Sequence, residues 1–208
     1  VLVYSGDLEG SDSSTPKSIF ITIENCTFTD CSAGKQGGAI KCGGQSSQGN
    51  FNNDINITNC HFTNCQAPEG GALFFVDGDE EGDEETVINY CTFDRCQGFA
   101  GSAILCKSYK FELSHTIISG SRQYYLNLDD YLIQSFLFVF LNEDGVTPVV
   151  TNCTFTDNEQ CVDFQSFNPA PAILSSGKPN SITFKNCNIT KNNKADINQS
   201  IWLYAIHG

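Results

Sequence analysis

The sequence predicts an all-β fold, a single-stranded parallel β-helix (solenoid) of about six coils. One observation is a corner motif, an apolar strand that ends in Asn-Cys-Thr-Phe or a close variant. A second is that an apolar run follows several of these motifs, and a third is that Asn, Thr, Cys and Gly, which are weak helix formers, dominate the repeats. The motif copies, at steps of about 25 to 37 residues, occupy 23–31, 57–65, 88–96, 113–121, 150–158 and 184–192.

Each repeat is predicted to contain two strands. The first ends in the corner motif, and the second is the apolar run at 38–42, 71–75 or 102–106. Alternation within the first strand places Ile21, Ile23 and Asn25 on the inward face. For Asn25 and the following Phe28 both to point inward, the chain must turn between Cys26 and Thr27. The glycine pairs at 37–38 and 70–71 predict a second turn with positive φ or a close backbone approach.

The residue before the corner is expected to form a buried ladder of stacked side-chain amides, which satisfies polar groups that would be costly inside a core. Four copies supply asparagine to this structural ladder, and two do not. The column reads Asn25, Asn59, Tyr90, His115, Asn152 and Asn186. We therefore expect a local break at Tyr90 and His115.

Cysteines recur at positions i and i+5 around the corner. These corner cysteines are Cys26, Cys31, Cys60, Cys65, Cys91 and Cys96. Two alternatives stay open, disulfides within a coil and two columns of stacked thiols, and the second is favoured because the last two repeats replace the second Cys with Asn. A zinc site is a poor interpretation, since zinc requires closer pairs and further ligands. Cys42 and Cys106 should lie two coils apart, roughly 10 Å, and cannot pair.

We expect one domain over residues 1–208, with an irregular insertion around 122–145 where the repeat spacing is longest. The chain begins and ends at one phase of the coil. This phase predicts either a segment of a longer solenoid or a unit that stacks end to end.

The repeats resemble a known pattern. Residues 37–40 and 70–73 with 28–31 and 155–158 look like the GGA(I/L/V) and FxxN repeats of polymorphic outer-membrane proteins, here mostly with Cys in place of the final Asn. Similar repeats occur in β-helix surface proteins of protists. The resemblance implies a right-handed parallel β-helix displayed outside a cell, at the cell surface, and used for adhesion.

Composition excludes some classes of function. Eleven basic and 24 acidic residues give a net charge of −13, which argues against nucleic acid as a partner. No stretch reaches the roughly 18 apolar residues of a membrane span. Eleven cysteines indicate an oxidising compartment, which agrees with an extracellular location.

The acidic run at 77–85 partly matches a calcium loop. Asp77, Asp79, Glu81 and Asp83 are the candidate ligands, but position twelve holds Ile88 instead of the required Glu. A solvated acidic loop is the favoured interpretation, and weak Ca²⁺ binding is the alternative. We expect no other cofactor.

Five glycosylation sequons occur, and three of them are candidate glycan sites: Asn56, Asn188 and Asn198. The sequons at Asn25 and Asn152 belong to the predicted inward ladder. We therefore expect them to be inaccessible in the folded chain.

The leading functional hypothesis is a non-enzymatic extracellular structural or adhesive protein. It would associate with copies of itself or with flanking coils, and bind a glycan or a host or cell-surface ligand. One alternative is a polysaccharide lyase or hydrolase with a site around Asp129, Asp130 and Arg122, but no second acidic pair recurs at the matching coil position. The other is a glycan-binding module that uses exposed aromatic residues such as Tyr124, Tyr125 and Trp202.

Overall fold

The computed structural model describes residues 2–3, 17–42, 51–76, 85–107, 110–123, 137–141, 148–158, 173–177 and 183–192. All the regular elements within these ranges are strands. They are β1 (Leu2–Val3), β2 (Lys17–Glu24), β3 (Thr27–Thr29), β4 (Ile40–Cys42), β5 (Phe51–Thr58), β6 (His61–Thr63), β7 (Leu73–Val76), β8 (Glu85–Asn89), β9 (Thr92–Asp94), β10 (Gln97–Gly98), β11 (Ile104–Lys107), β12 (Lys110–Ser114), β13 (Ile117–Ser119), β14 (Arg122–Gln123), β15 (Leu137–Leu141), β16 (Val149–Thr151), β17 (Thr154–Thr156), β18 (Ile173–Gly177), β19 (Thr183–Lys185) and β20 (Asn188–Thr190).

The strands stack into parallel sheets, which confirms the predicted β-solenoid. Sheet A has the order β1-β4-β7-β11-β15-β18, sheet B the order β2-β5-β8-β12-β16-β19, and sheet C the order β3-β6-β9-β13-β17-β20. A two-stranded parallel pair joins β10 and β14. Successive strands along the chain therefore belong to different sheets, and each hydrogen-bonds to its equivalent one coil away.

Register is conserved from coil to coil, so equivalent residues of the repeat lie directly above one another. Ile23 pairs with Ile57, and Phe28 pairs with Phe62. The Phe62 ring is stacked between Phe28 and Phe93 at centroid distances of 4.9 and 4.7 Å. Inward alternation is confirmed for the aliphatic residues, because Ile55 and Ile57 are buried while Asn56 between them is exposed.

The prediction of two strands per repeat is wrong, because each regular coil contributes three. The additional strand is the three-residue segment of sheet C that follows the corner. It is bounded by two residues in the left-handed region, Asn25 (φ 54°) and Asp30 (φ 55°) in the first coil. The motif therefore contains two corners, five residues apart, with a short strand between them.

The glycine prediction is confirmed at the turn that precedes sheet A. Gly37 and Gly70 both have φ of 60°. A Cβ atom at Gly37 would meet the carbonyl of Ile40, and one at Gly70 that of Leu73. Only glycine allows the backbone to approach itself this closely.

The predicted insertion at 122–145 contains regular structure at both of its described parts. Arg122–Gln123 forms β14, and Leu137–Leu141 forms β15, which pairs in register with β11 and β18. The rest of that segment lies outside the described residues.

Candidate functional site

The first corner carries an exposed ladder of side chains along the outside of the solenoid. Asn59 Nδ2 donates to Asn25 Oδ1 at 2.6 Å, and Asn186 Nδ2 donates to Asn152 Oδ1 at 3.2 Å. All four asparagines are exposed. The hydrogen bonds between side-chain amides are present between these coils, as expected. The prediction that the column faces inward is wrong.

The reason lies in the backbone of the corner residue. Asn25, Asn59, Asn152 and Asn186 all have φ of 53–54°, the left-handed conformation that Asn tolerates best among residues with a side chain. This conformation interrupts the extended alternation, so the residue points outward and the next residue points inward.

Tyr90 and His115 occupy the same column in the two middle coils. Both adopt the left-handed conformation, with φ of 52° and 49°, and their rings stack at 4.5 Å. His115 Nε2 lies 3.1 Å from Asn152 Nδ2, so it accepts a hydrogen bond from that amide. The amide ladder is interrupted here, as expected, and ring stacking continues the contact between coils.

We call the inward residues after the first corner the first-corner column. Its members are Cys26, Cys60, Cys91, Thr116, Cys153 and Cys187. Each donates to the backbone carbonyl two residues earlier, at 3.1 Å in Cys26 and Cys153 and 3.3 Å in Cys60 and Cys91. Thr116 makes the equivalent bond at 2.8 Å, so a hydroxyl can replace the thiol.

The second-corner column is the set of inward residues that follow the second left-handed residue of each motif, which is Asp30 in the first coil. Its members are Cys31, Cys65, Cys96, Ser121, Asn158 and Asn192. Here the thiols lie farther from carbonyl oxygens, at 3.6 Å for Cys31, 3.6 and 3.7 Å for Cys65, and 3.8 Å for Cys96.

The inward asparagine ladder of this fold lies in the second-corner column, and not at the first corner where it was predicted. Asn158 Nδ2 donates to Asn192 Oδ1 at 2.9 Å, and both residues are buried. The Ser121 backbone N–H donates to Asn158 Oδ1 at 3.0 Å, whereas the buried Ser121 hydroxyl has no partner among the described residues. The Asn residues at 158 and 192, which match the FxxN pattern, were the available signal.

The thiols of the two columns differ in their acid–base behaviour. Burial raises the pKa of Cys91 and of Cys153 to about 11. In the second-corner column, the hydrogen bond that Cys96 donates lowers the pKa of Cys65 to about 7 and raises the pKa of Cys96 well above its usual range.

None of the ten cysteines in the described ranges is joined in a disulfide, and the six corner cysteines form stacked columns. Cys42 and Cys106 both pair in register with Phe75, one on each side. The prediction that these two cysteines lie two coils apart is therefore confirmed.

Two of the candidate glycan sites, Asn56 and Asn188, are exposed, and Asn198 lies outside the described residues. The expectation that the sequons at Asn25 and Asn152 are inaccessible is wrong, because both asparagines face solvent.

The remaining candidates lie largely outside the described ranges. These are Asp77, Asp79, Glu81 and Asp83 of the calcium candidate, Asp129 and Asp130 of the alternative enzymatic site, and Tyr124, Tyr125 and Trp202. Arg122 is exposed and begins β14.

The outward side of sheet C is rich in hydroxyl groups. Thr190 Oγ1 lies 3.3 Å from Thr156 Oγ1, and Thr156 Oγ1 donates to Asp157 Oδ2 at 2.9 Å. Ser119 Oγ lies 3.4 Å from Asp94 Oδ1, to which it donates. These contacts hold neighbouring polar side chains at fixed positions on an open face.

In the described part of the chain, no three His, Cys, Asp or Glu side chains converge as a group that could hold a metal ion. Within the same ranges we find no helical segment with the length and apolarity that crossing a membrane requires.

The fold and its two corner columns define a parallel β-solenoid. Comparison of the chain with protein-family models, with curated proteins and with solved structures gave no match.

Proposed function

We propose that this chain is an extracellular structural and adhesive β-solenoid, without enzymatic activity, whose coils stack end to end on those of another copy. The observation that supports this proposal is the common direction of the hydrogen bonds in the exposed Asn ladder. Each amide bond points toward the lower-numbered coil, from Asn59 to Asn25 and from Asn186 to Asn152. Among the described residues, this leaves the Asn25 amide without an acceptor and the Asn186 carbonyl without a donor. The two ends of the ladder are therefore complementary.

The end coils also leave part of their inward residues open. Phe62 is fully buried, whereas Phe28 in the first coil and Ile189 in the last are only half-buried. Cys26 and Cys187 at the two ends are half-buried as well, in contrast to Cys60. A second copy would place Ile189 against Phe28 and Cys187 against Cys26, and so cover this apolar surface.

Edge strands supply the backbone part of the contact. Among the described strands, β2 and β3 form one end of sheets B and C, and β19 and β20 form the other. Edge strands offer unpaired N–H and C=O groups to a further parallel strand. Contact of one end with the opposite end is heterologous, so it does not close and leads to a filament.

The location and the adhesive role are supported by the exposed surface. Asn25, Asn56, Asn152 and Asn188 are exposed sequon asparagines, as expected for a protein that passes through a secretory pathway. The fixed hydroxyl groups of sheet C offer a repeated polar surface to a glycan or a cell-surface ligand.

The test replaces one atom at the end of the ladder. Asn25→Asp retains the oxygen that accepts from Asn59 and removes the amide that would donate to Asn186 of the next copy. The control Asn56→Asp makes the same change at an exposed position within β5, and both variants also lose a sequon.

Particle length is measured by negative-stain microscopy, and mass by sedimentation, over a range of concentrations. The wild type and Asn56→Asp should form particles of increasing length, and Asn25→Asp should shift to shorter ones. A wild-type chain that stays monomeric at every concentration contradicts the proposed stacking.

A further inference from the structure

The second-corner column begins with three consecutive thiols, Cys31, Cys65 and Cys96. Their Cα positions follow the in-register coils, since the neighbouring Thr29, Thr63 and Asp94 pair directly with one another. Cys65 and Cys96 are fully buried, and Cys31 is half-buried in the first coil. The stack therefore runs from a partly open end into the core.

These thiols are held less firmly by the backbone than those of the first-corner column. In the same two coils, Cys60 and Cys91 donate to carbonyls at 3.3 Å, whereas the corresponding distances are 3.7 Å for Cys65 and 3.8 Å for Cys96. The sulfurs of Cys65 and Cys96 are therefore the less constrained of the two columns.

The spacing of the coils discriminates between a disulfide and a bound cation. Equivalent atoms of adjacent parallel strands lie about 4.8 Å apart. A disulfide requires Cβ atoms about 3.5–4.5 Å apart, so direct bonding would need the coils to move. A cation midway between two sulfurs would lie about 2.4 Å from each, close to the roughly 2.3 Å of a zinc–thiolate bond.

The number of ligands then selects the metal. A linear stack presents two sulfurs to any ion between coils, and no group of three or more candidate ligands converges in the described residues. Zinc requires four ligands. Soft thiolates favour Cu(I), which accepts two ligands in a line.

We propose that the thiol stack of the second-corner column is a binding site for one Cu(I) ion, held between the sulfurs of Cys65 and Cys96. On binding, one Cu(I) enters and the two thiol protons leave to solvent, with no change of oxidation state. The bis-thiolate site has a net charge of −1. The half-buried Cys31 sulfur is the first one that an incoming ion meets.

The test titrates the purified chain with Cu(I) under anaerobic, reducing conditions, in competition with a chromophoric Cu(I) chelator. The wild type should retain one Cu(I) per chain and show a thiolate-to-copper charge-transfer band. Cys65→Ser should weaken binding at least about tenfold, a change of about 1.4 kcal/mol. The replacement follows the protein itself, in which Ser121 occupies this column.

The matched control is Cys60→Thr, in the same coil as Cys65, where Thr116 shows that the column accepts a hydroxyl. It should bind Cu(I) as the wild type does. Cys96→Ser provides a second test should Cys65→Ser fail to give the wild-type circular dichroism spectrum.

Equal binding by the wild type and a folded serine variant overturns the proposal. An equal loss in Cys60→Thr does the same, because it would show that Cu(I) binds thiols without regard to column.

Discussion

The left-handed conformation of Asn59 predicts that the glycine variant is more stable than the alanine variant at this position. Within an extended strand the order is the reverse. Both Asn59→Ala and Asn59→Gly lose the 2.6 Å bond to Asn25. They differ in the backbone, because Asn59 has φ of 53°. The comparison therefore isolates the conformational strain at the corner from the contribution of the ladder.

The magnitude follows from two opposing terms. A left-handed conformation costs an L-residue about 1–2 kcal/mol, which glycine avoids. Glycine loses about 0.5–1 kcal/mol more than alanine through the greater freedom of the unfolded chain. The Gly variant at position 59 should therefore be more stable than the Ala variant by about 0.5–1 kcal/mol.

Asn56 is the internal control, since it is exposed and lies three residues earlier, within strand β5. Its oxygen accepts a bond from Thr58, which both substitutions remove equally. Because its backbone is extended, the Ala variant should be the more stable one there, by about 0.5–1 kcal/mol.

The free energy of unfolding is obtained from urea titrations followed by far-ultraviolet circular dichroism. The reasoning is refuted when alanine exceeds glycine in stability at position 59 by the same margin as at position 56.

Two further predictions concern buried polar groups. Because burial raises the pKa of Cys91 and Cys153 to about 11 from 9.0, their stabilising contribution is complete below pH 9 and is lost as pH rises through 11. At about 1.36 kcal/mol for each pKa unit, this amounts to about 3 kcal/mol per thiol. The urea midpoint of unfolding should therefore fall as the pH rises from 9 to 11, and it should fall less steeply in Cys91→Thr. An equal dependence on pH in that variant contradicts the raised pKa of Cys91. Ser121→Cys removes a buried hydroxyl without a partner and restores the residue type of Cys96, so the melting temperature should rise by the equivalent of about 1 kcal/mol, and a decrease would speak against this account.

Periodicity was sufficient to predict the architecture. Because Ile23, Ile57 and Ile88 recur with the same neighbours, in-register parallel stacking is the arrangement that buries all of them together, and the structure shows that register. The strand β15 at 137–141 was not identified in this way, because it lies in the segment where the spacing between motif copies is longest.

The candidate site was predicted less well, and the errors have one cause. Alternation holds only while the backbone is extended, and it was continued through Asn25, which is left-handed. The ladder was therefore placed inside, and two exposed sequons were set aside. The sequence contained a usable signal, since Asn and Asp recur at both corners, as in Asn25 and Asp30, and these are the residues that tolerate such a conformation.

The buried ladder of Asn158 and Asn192 was missed for a different reason, although the FxxN match was an available signal. Cys, Ser and Asn all fit the second-corner column by volume, and only the position of the neighbouring coil decides whether an amide finds a partner. Ser121 shows the outcome when it does not.

The conserved register makes each coil an interchangeable unit of length. Asn59 and Asn25 are bonded side chain to side chain yet are 34 residues apart along the chain. Duplication or loss of a segment between two equivalent corners would join matching backbone positions and leave the remaining contacts in place. A gene that encodes such a protein can thus lengthen or shorten its product by recombination between repeats, and the distance spanned by the molecule changes in steps of one coil.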